Sequence, residues 1–248
     1  MSTTTLPADA RLISYLTLRK FIGLIGILLP FALVIINMLL VRKVIMQGSM
    51  SGYYYTDVRG VLVGSLCAIG VFLFAYRGYG GWDDALTDAA GLFAIGVALF
   101  PTAPANPSPE ARNIGYVHLT CAGLLFAVLA VIALWQFTKT EPGTERTAQK
   151  RKRDLVYRIC GIVIAVCLVL VPIESLVIGA PIQRFRPLFW LEAVAVVAFG
   201  VAWLVKGQAI LKDDDSPGGN GGPPDDGNGE AATPPGSGRV DELTGSRR

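Results

Sequence analysis

Five ionisable residues stand where apolar runs begin or end: Asp57, Arg59, His118, Glu174 and Glu192. Carboxylates, an imidazole and a guanidinium can together bind a headgroup, pass a proton or hold a divalent cation. Each chemistry has its own requirement. A catalytic zinc site is built on two or three nitrogen or sulfur ligands. This chain has one histidine, no HExxH, and four cysteines (Cys67, Cys121, Cys160, Cys167) that all fall inside apolar runs with no CxxC spacing. His118 therefore reads as a hydrogen-bonded polar residue, the cysteines as small hydrophobes, and no metal or cofactor is expected. The phosphate loop GxxxxGK[ST], the dinucleotide turn GxGxxG and the nucleophile elbow GxSxG do not occur either.

The elements that must position these residues are set by composition. Of 248 residues, 52% are hydrophobic and 17% charged, well below the quarter charged that is usual in a soluble domain. The apolar residues come in six blocks, near 21–41, 60–75, 89–100, 116–137, 156–177 and 188–205. About 20 residues of helix cross a hydrocarbon core roughly 30 Å thick. The second and third blocks reach that length only with flanking residues such as Tyr76, Asp88 and Thr102. Continuous runs, without the alternation of a barrel, predict an all-α polytopic transmembrane bundle of six spans. The first run is longer than the apolar core of a signal peptide and is followed by Arg42 and Lys43, so it is expected to be retained as a span. The expected organisation is an N-terminal segment 1–20, a six-helix domain 21–207 and a tail 208–248.

Orientation follows from charge. The connection 139–158 carries Lys139, Arg146, Lys150, Arg151, Lys152, Arg153 and Arg158. Short basic loops stay cytoplasmic, which predicts a multi-pass protein of the cell membrane with both termini inside. The "KRKR" at 150–153 is then a topology signal facing anionic lipid, and no nucleic-acid partner is expected. From Asp213 the chain turns to Gly, Pro and Asp, with eight acidic and three basic residues, leaving 1–212 at +8 against +3 for the whole chain. So few apolar groups predict disorder.

That topology carries Asp57, Arg59, His118, Glu174 and Glu192 to one leaflet, beside Tyr53, Tyr54, Tyr55 and Tyr116. Glu192 should lie some 6–8 Å below the outer boundary at about 1.5 Å per residue, too deep for a short side chain to reach water. Intramembrane ionisable groups face a bundle interior or a cavity. The five residues are expected to share an outward-facing pocket for a small molecule or lipid headgroup in a protein that is not an enzyme, with membrane lipids as its surroundings. The alternative is a membrane-embedded lipid hydrolase using the carboxylates with His118, and the third reading is a transporter. Gly60, Gly64 and Ala68 predict a close helix contact. Pro30 and Pro172 predict bends, Asn37 requires a carbonyl or interhelical partner, and Arg77 is expected opposite Asp83, Asp84 and Asp88.

Three stretches, "SGYYYTDVRGVLVGSLCAIGVFLFAYRGY", "LTDAAGLFAIGVALFPT" and "FWLEAVAVVAFGVAWLVKG", together resemble a family of bacterial six-helix membrane proteins of unknown function over most of residues 15–207. The resemblance implies six spans and supplies no activity or site residue.

Overall fold

A computed structural model describes residues 8–43, 45–78, 80–140, 147–177 and 184–211. Among them every regular element is helical. Helix α1 runs Ala8–Val41, α2 Arg59–Ala75, α3 Gly81–Leu99, α4 Pro109–Val131, α5 Ala148–Val177 and α6 Pro187–Lys206. A short 3-10 turn, Ser51–Tyr55, lies between α1 and α2, and a π-helical turn, Ile132–Gln136, ends α4. Ser108 caps α4, its Oγ accepting from the Ala111 N–H at 3.2 Å, and Pro109 opens the helix where no backbone donor is needed.

Each helix packs on the next in sequence, and α6 packs back on α1, so the six form a closed ring. Neighbours are antiparallel: Gly26 meets Gly200 while Gly48 accepts from the Phe189 N–H, and Gly70 meets Gly91 while Gly78 meets Asp83. The ring is filled in two halves. Around Trp203, the rings of Tyr76, Phe137 and Phe199 lie 4.9, 5.2 and 6.1 Å away, closing the end that carries Lys150 and Lys206. Toward the other end Leu29, Leu33, Tyr53, Leu62 and Phe189 form a second core. The outer faces are apolar on all six helices; Leu28, Val71, Leu92, Leu119, Val169 and Val194 are exposed large hydrophobics, one from each. Such a belt is stable only against lipid or another apolar surface.

Among the described residues, four helices are long and apolar enough to cross a membrane, over Tyr15–Val41, Pro109–Gln136, Ala148–Glu174 and Pro187–Lys206. The α2 helix is apolar but has 17 residues, and α3 begins with Asp83, Asp84 and Asp88 in its first turns. Helices also start earlier than their apolar runs. The α1 helix is under way at Ala8, inside the expected N-terminal segment, and "KRKR" lies on the first turns of α5 and not in a loop. Arginine and lysine are good helix formers, so hydropathy marks the apolar run and not where the helix starts. The expected tail lies outside the described residues from 212 on.

The expected close contact is not made at Gly60 or Gly64 among the described residues. A Cβ at Gly60 or Gly64 would meet nothing within 4 Å. The close approaches are elsewhere. A Cβ at Gly70 would fall 2.9 Å from the Gly91 carbonyl oxygen, and one at Gly200 would fall 2.6 Å from that of Gly23. Asn37 donates to the Ile45 carbonyl at 3.0 Å, as a buried amide requires. Arg77 pairs with Asp88 at 3.3 Å, whereas Asp84 accepts from the Gly78 N–H and Asp83 is paired to Lys139.

Candidate functional site

The loop between α1 and α2 folds over one end of the ring. Its 3-10 turn is held from below by Glu192. One carboxylate oxygen accepts from the Met50 N–H at 2.5 Å, the other from Ser51 Oγ at 3.4 Å, and the Ser51 N–H also reaches the group. A carboxylate suits the unpaired donors at the start of a helical turn. The three tyrosines then diverge. Tyr53 points inward, fully buried against Phe189, and burial pushes its phenol up against the opposing pull of a Gln47 backbone contact and Arg186. Tyr54 lies under the Arg59 guanidinium, 3.9 Å from ring centroid to Cζ. Tyr55 donates to the Thr102 carbonyl at 2.6 Å, tying this loop to the one after α3.

Beneath this cover lies a cavity of about 550 Å³ between α4, α5 and α6. His118, Glu174 and Glu192, from three helices, all line it. Asp57 and Arg59 do not. Asp57 is exposed, and Arg59 is spent on Tyr54. Ser49, Ser51, Thr102, Arg112 and Tyr116 add further polar groups to the lining. The signal for Arg112 was in the sequence: Arg112, Tyr116, Leu119, Gly123 and Phe126 follow a 4, 3, 4, 3 spacing, one stripe of a helix. Ser49 and Ser51 carried none, because only the fold of the α1–α2 loop brings them over α6.

His118 is buried at the junction of α3 and α4. Its Nδ1 lies 2.7 Å from the Phe100 carbonyl oxygen, and the Val97 carbonyl is also in reach. A carbonyl can only accept, so Nδ1 carries the proton. The imidazole thus satisfies carbonyls at the C-terminal end of α3 that have no helical partner. Glu174 is buried on α5, and it also lines an outer groove of about 440 Å³ with Trp190 and Leu191 of α6. A smaller apolar cavity of about 70 Å³ lies deeper in the ring, lined by Leu62, Leu125, Val196 and Phe199, and it shares Ser51, His118 and Glu192 with the larger one.

The cavity reaches the outer face of the bundle. Tyr116 and Leu119 line it yet are 60% and 59% exposed. Its polar groups gather at one end, and Leu119, Phe126, Leu168 and Val171 make an apolar remainder. This shape suits an amphipathic molecule with its head among two carboxylates, an arginine and hydroxyls. Acyl transfer would need a nucleophile bonded to a base; the bond recorded for His118 goes to a carbonyl, and the Ser51–Glu192 contact is long. Among the described residues no three His, Cys, Asp or Glu side chains are grouped to hold a metal ion. No family model, no curated protein and no solved structure matches this chain.

Proposed function

We propose that this is a six-span protein of the cell membrane with both termini cytoplasmic, and that it binds a small amphipathic ligand or lipid headgroup in the cavity between α4, α5 and α6. The six-span reading draws on the closed ring. The α2 and α3 helices pack beside spanning helices, carry their own apolar outer faces, and would be about 26 and 28 Å long at 1.5 Å per residue. Orientation draws on the basic residues of α5, all at the end opposite Glu192. Binding rests on one observation, an amphipathic cavity of about 550 Å³ that opens beside the exposed Tyr116 and Leu119. That volume is in the range of small-molecule sites.

Gly123 gives the cleanest test. It lines the cavity, and a Cβ there would meet nothing within 4 Å. Gly123→Leu should fill part of the space without a clash, leaving the melting temperature at or above that of the wild type. Lipid extracted with the purified protein, read by native mass spectrometry, should fall at least severalfold. Undiminished retention in a folded Gly123→Leu protein would reject the cavity as the binding site.

A further inference from the structure

The cavity between α4, α5 and α6 backs onto the smaller chamber of about 70 Å³. Ser51, His118, Ala122, Phe126 and Glu192 line both spaces, which meet across these five side chains. The five come from the α1–α2 loop, α4 and α6, and together they frame a window. Beyond it the chamber is walled by hydrocarbon, with Leu66 of α2, Val97 of α3, Leu129 of α4 and Val196 of α6. No polar side chain there can hold water, and an apolar space of this kind stays dry. In an interior packed like an organic crystal, an empty space costs stability. Hydrocarbon is the filling that removes the cost, and the ligand cavity is the side from which it can come.

The polar side of the window presents acceptors. His118 is 6% exposed, and its Nδ1 gives its proton to the Phe100 carbonyl at 2.7 Å. A neutral imidazole so bonded keeps a lone pair on Nε2; among the described residues no donor is bonded to it. Ser51 directs its hydroxyl to Glu192 at 3.4 Å, which leaves the lone pairs of its oxygen. The Glu192 carboxylate only accepts. A phosphate or carboxylate at the window would set acceptor against acceptor, whereas a hydroxyl would donate. A full charge would also lose water beside Ala122 and Phe126, at a cost a hydroxyl largely avoids. Arg112 offers an anion its one cation in the cavity lining, but it is exposed and lies six residues before His118 on α4, roughly 9 Å along the helix.

We propose that the ligand is a single-chain amphiphile with an uncharged, hydroxyl-bearing head. The head fills the polar end of the cavity, one hydroxyl donates to His118 Nε2, and the end of the chain passes the window into the chamber. This names the ligand class for the binding reading given above and rests on it. A chamber of about 70 Å³ takes the end of one chain and no more, so it also sets a preferred chain length.

The full-length protein, stripped of lipid and held in amphipol, would be titrated with monoacylglycerols from hexanoyl to tetradecanoyl. Lysophosphatidic acids and fatty-acid methyl esters of the same chains serve as the anionic and hydroxyl-free probes. Native mass spectrometry and thermal melting provide the readouts, with affinities referred to the free aqueous concentration. Monoacylglycerol should bind more tightly than lysophosphatidic acid of equal chain. Val196 and Leu66 line the chamber and not the cavity. Val196→Phe and Leu66→Phe should each shorten the preferred chain and weaken the longer ones about fourfold per methylene excluded, leaving the hexanoyl compound unaffected. His118→Asn keeps a donor for the Phe100 carbonyl and removes Nε2. It should weaken monoacylglycerol about fivefold, the effect of one hydrogen bond, and leave the methyl ester unchanged. Equal or tighter binding of lysophosphatidic acid, above all if Arg112→Gln abolishes it, would overturn the proposal while the cavity reading stands. So would an unchanged chain preference in both phenylalanine variants, either of which decides the matter should the other fail to fold, or an equal loss of monoacylglycerol and methyl ester in His118→Asn. Absence of binding by any of these amphiphiles, or binding that Gly123→Leu leaves intact, would remove the cavity reading and this proposal with it.

Discussion

Glu192 offers the sharpest test of how the α1–α2 loop is held. Its carboxylate takes the Met50 and Ser51 backbone donors, two groups that the 3-10 turn cannot satisfy itself. Leucine has a similar volume and suits the apolar neighbours, so in a lipid-facing position it would stabilise the protein. At this position it would strand both N–H groups. A buried donor left unpaired costs about 1–3 kcal/mol, and the apolar surface gained returns roughly 1 kcal/mol. The expected net loss is about 1–5 kcal/mol. Glutamine keeps an acceptor oxygen and loses only the charge assistance, roughly 1 kcal/mol. At about 2–4 °C per kcal/mol for a chain of this size, Glu192→Leu should melt on the order of 10 °C below wild type, with Glu192→Gln between them. Tryptophan fluorescence in detergent reports the melt, and protease cleavage within residues 49–58 reports release of the loop. A leucine variant as stable as the wild type, with its loop still protected, would refute the reasoning.

At the other end, Lys139→Met should cost about 3–5 kcal/mol in chemical unfolding, because it takes the lysine partner from an Asp83 carboxylate that is 2% exposed. Adding Asp83→Asn should recover most of that loss in a double-mutant cycle. Gly200→Ala should cost about 1–3 kcal/mol by forcing α1 and α6 apart, since its Cβ would lie 2.6 Å from the Gly23 oxygen; Gly60→Ala, in open space, should show no loss in the same melt. In a cysteine-free background, Asn106→Cys and Lys152→Cys should label from opposite faces of the membrane. Labelling of Lys152→Cys from outside intact cells would reverse the proposed orientation.

The sequence by itself determined the helical class, because six apolar runs without alternation leave the backbone no other way to be satisfied in lipid. It also placed His118, Glu174 and Glu192 at one end, since depth along a helix is simply residue count times rise. It required an interhelical partner or a carbonyl for Asn37, and the structure supplies the Ile45 carbonyl. Pairing was decided by the tertiary structure. Depth says nothing about the direction a side chain faces around the helix, and Asp57 and Arg59, expected beside the other three, lie outside the cavity. The α2 glycines showed the same limit. The i, i+4 pattern at Gly60 and Gly64 was the visible one, yet the backbones approach at Gly70 and Gly91, where both helices of the pair present a glycine at the same height. Contact is a property of two surfaces, and one helix's sequence records only half of it. "SGYYYTDVRG" makes the point most fully. Its composition predicted a membrane edge, but its role as a cover came from Glu192, some 140 residues away in the chain, reaching the turn's unpaired donors.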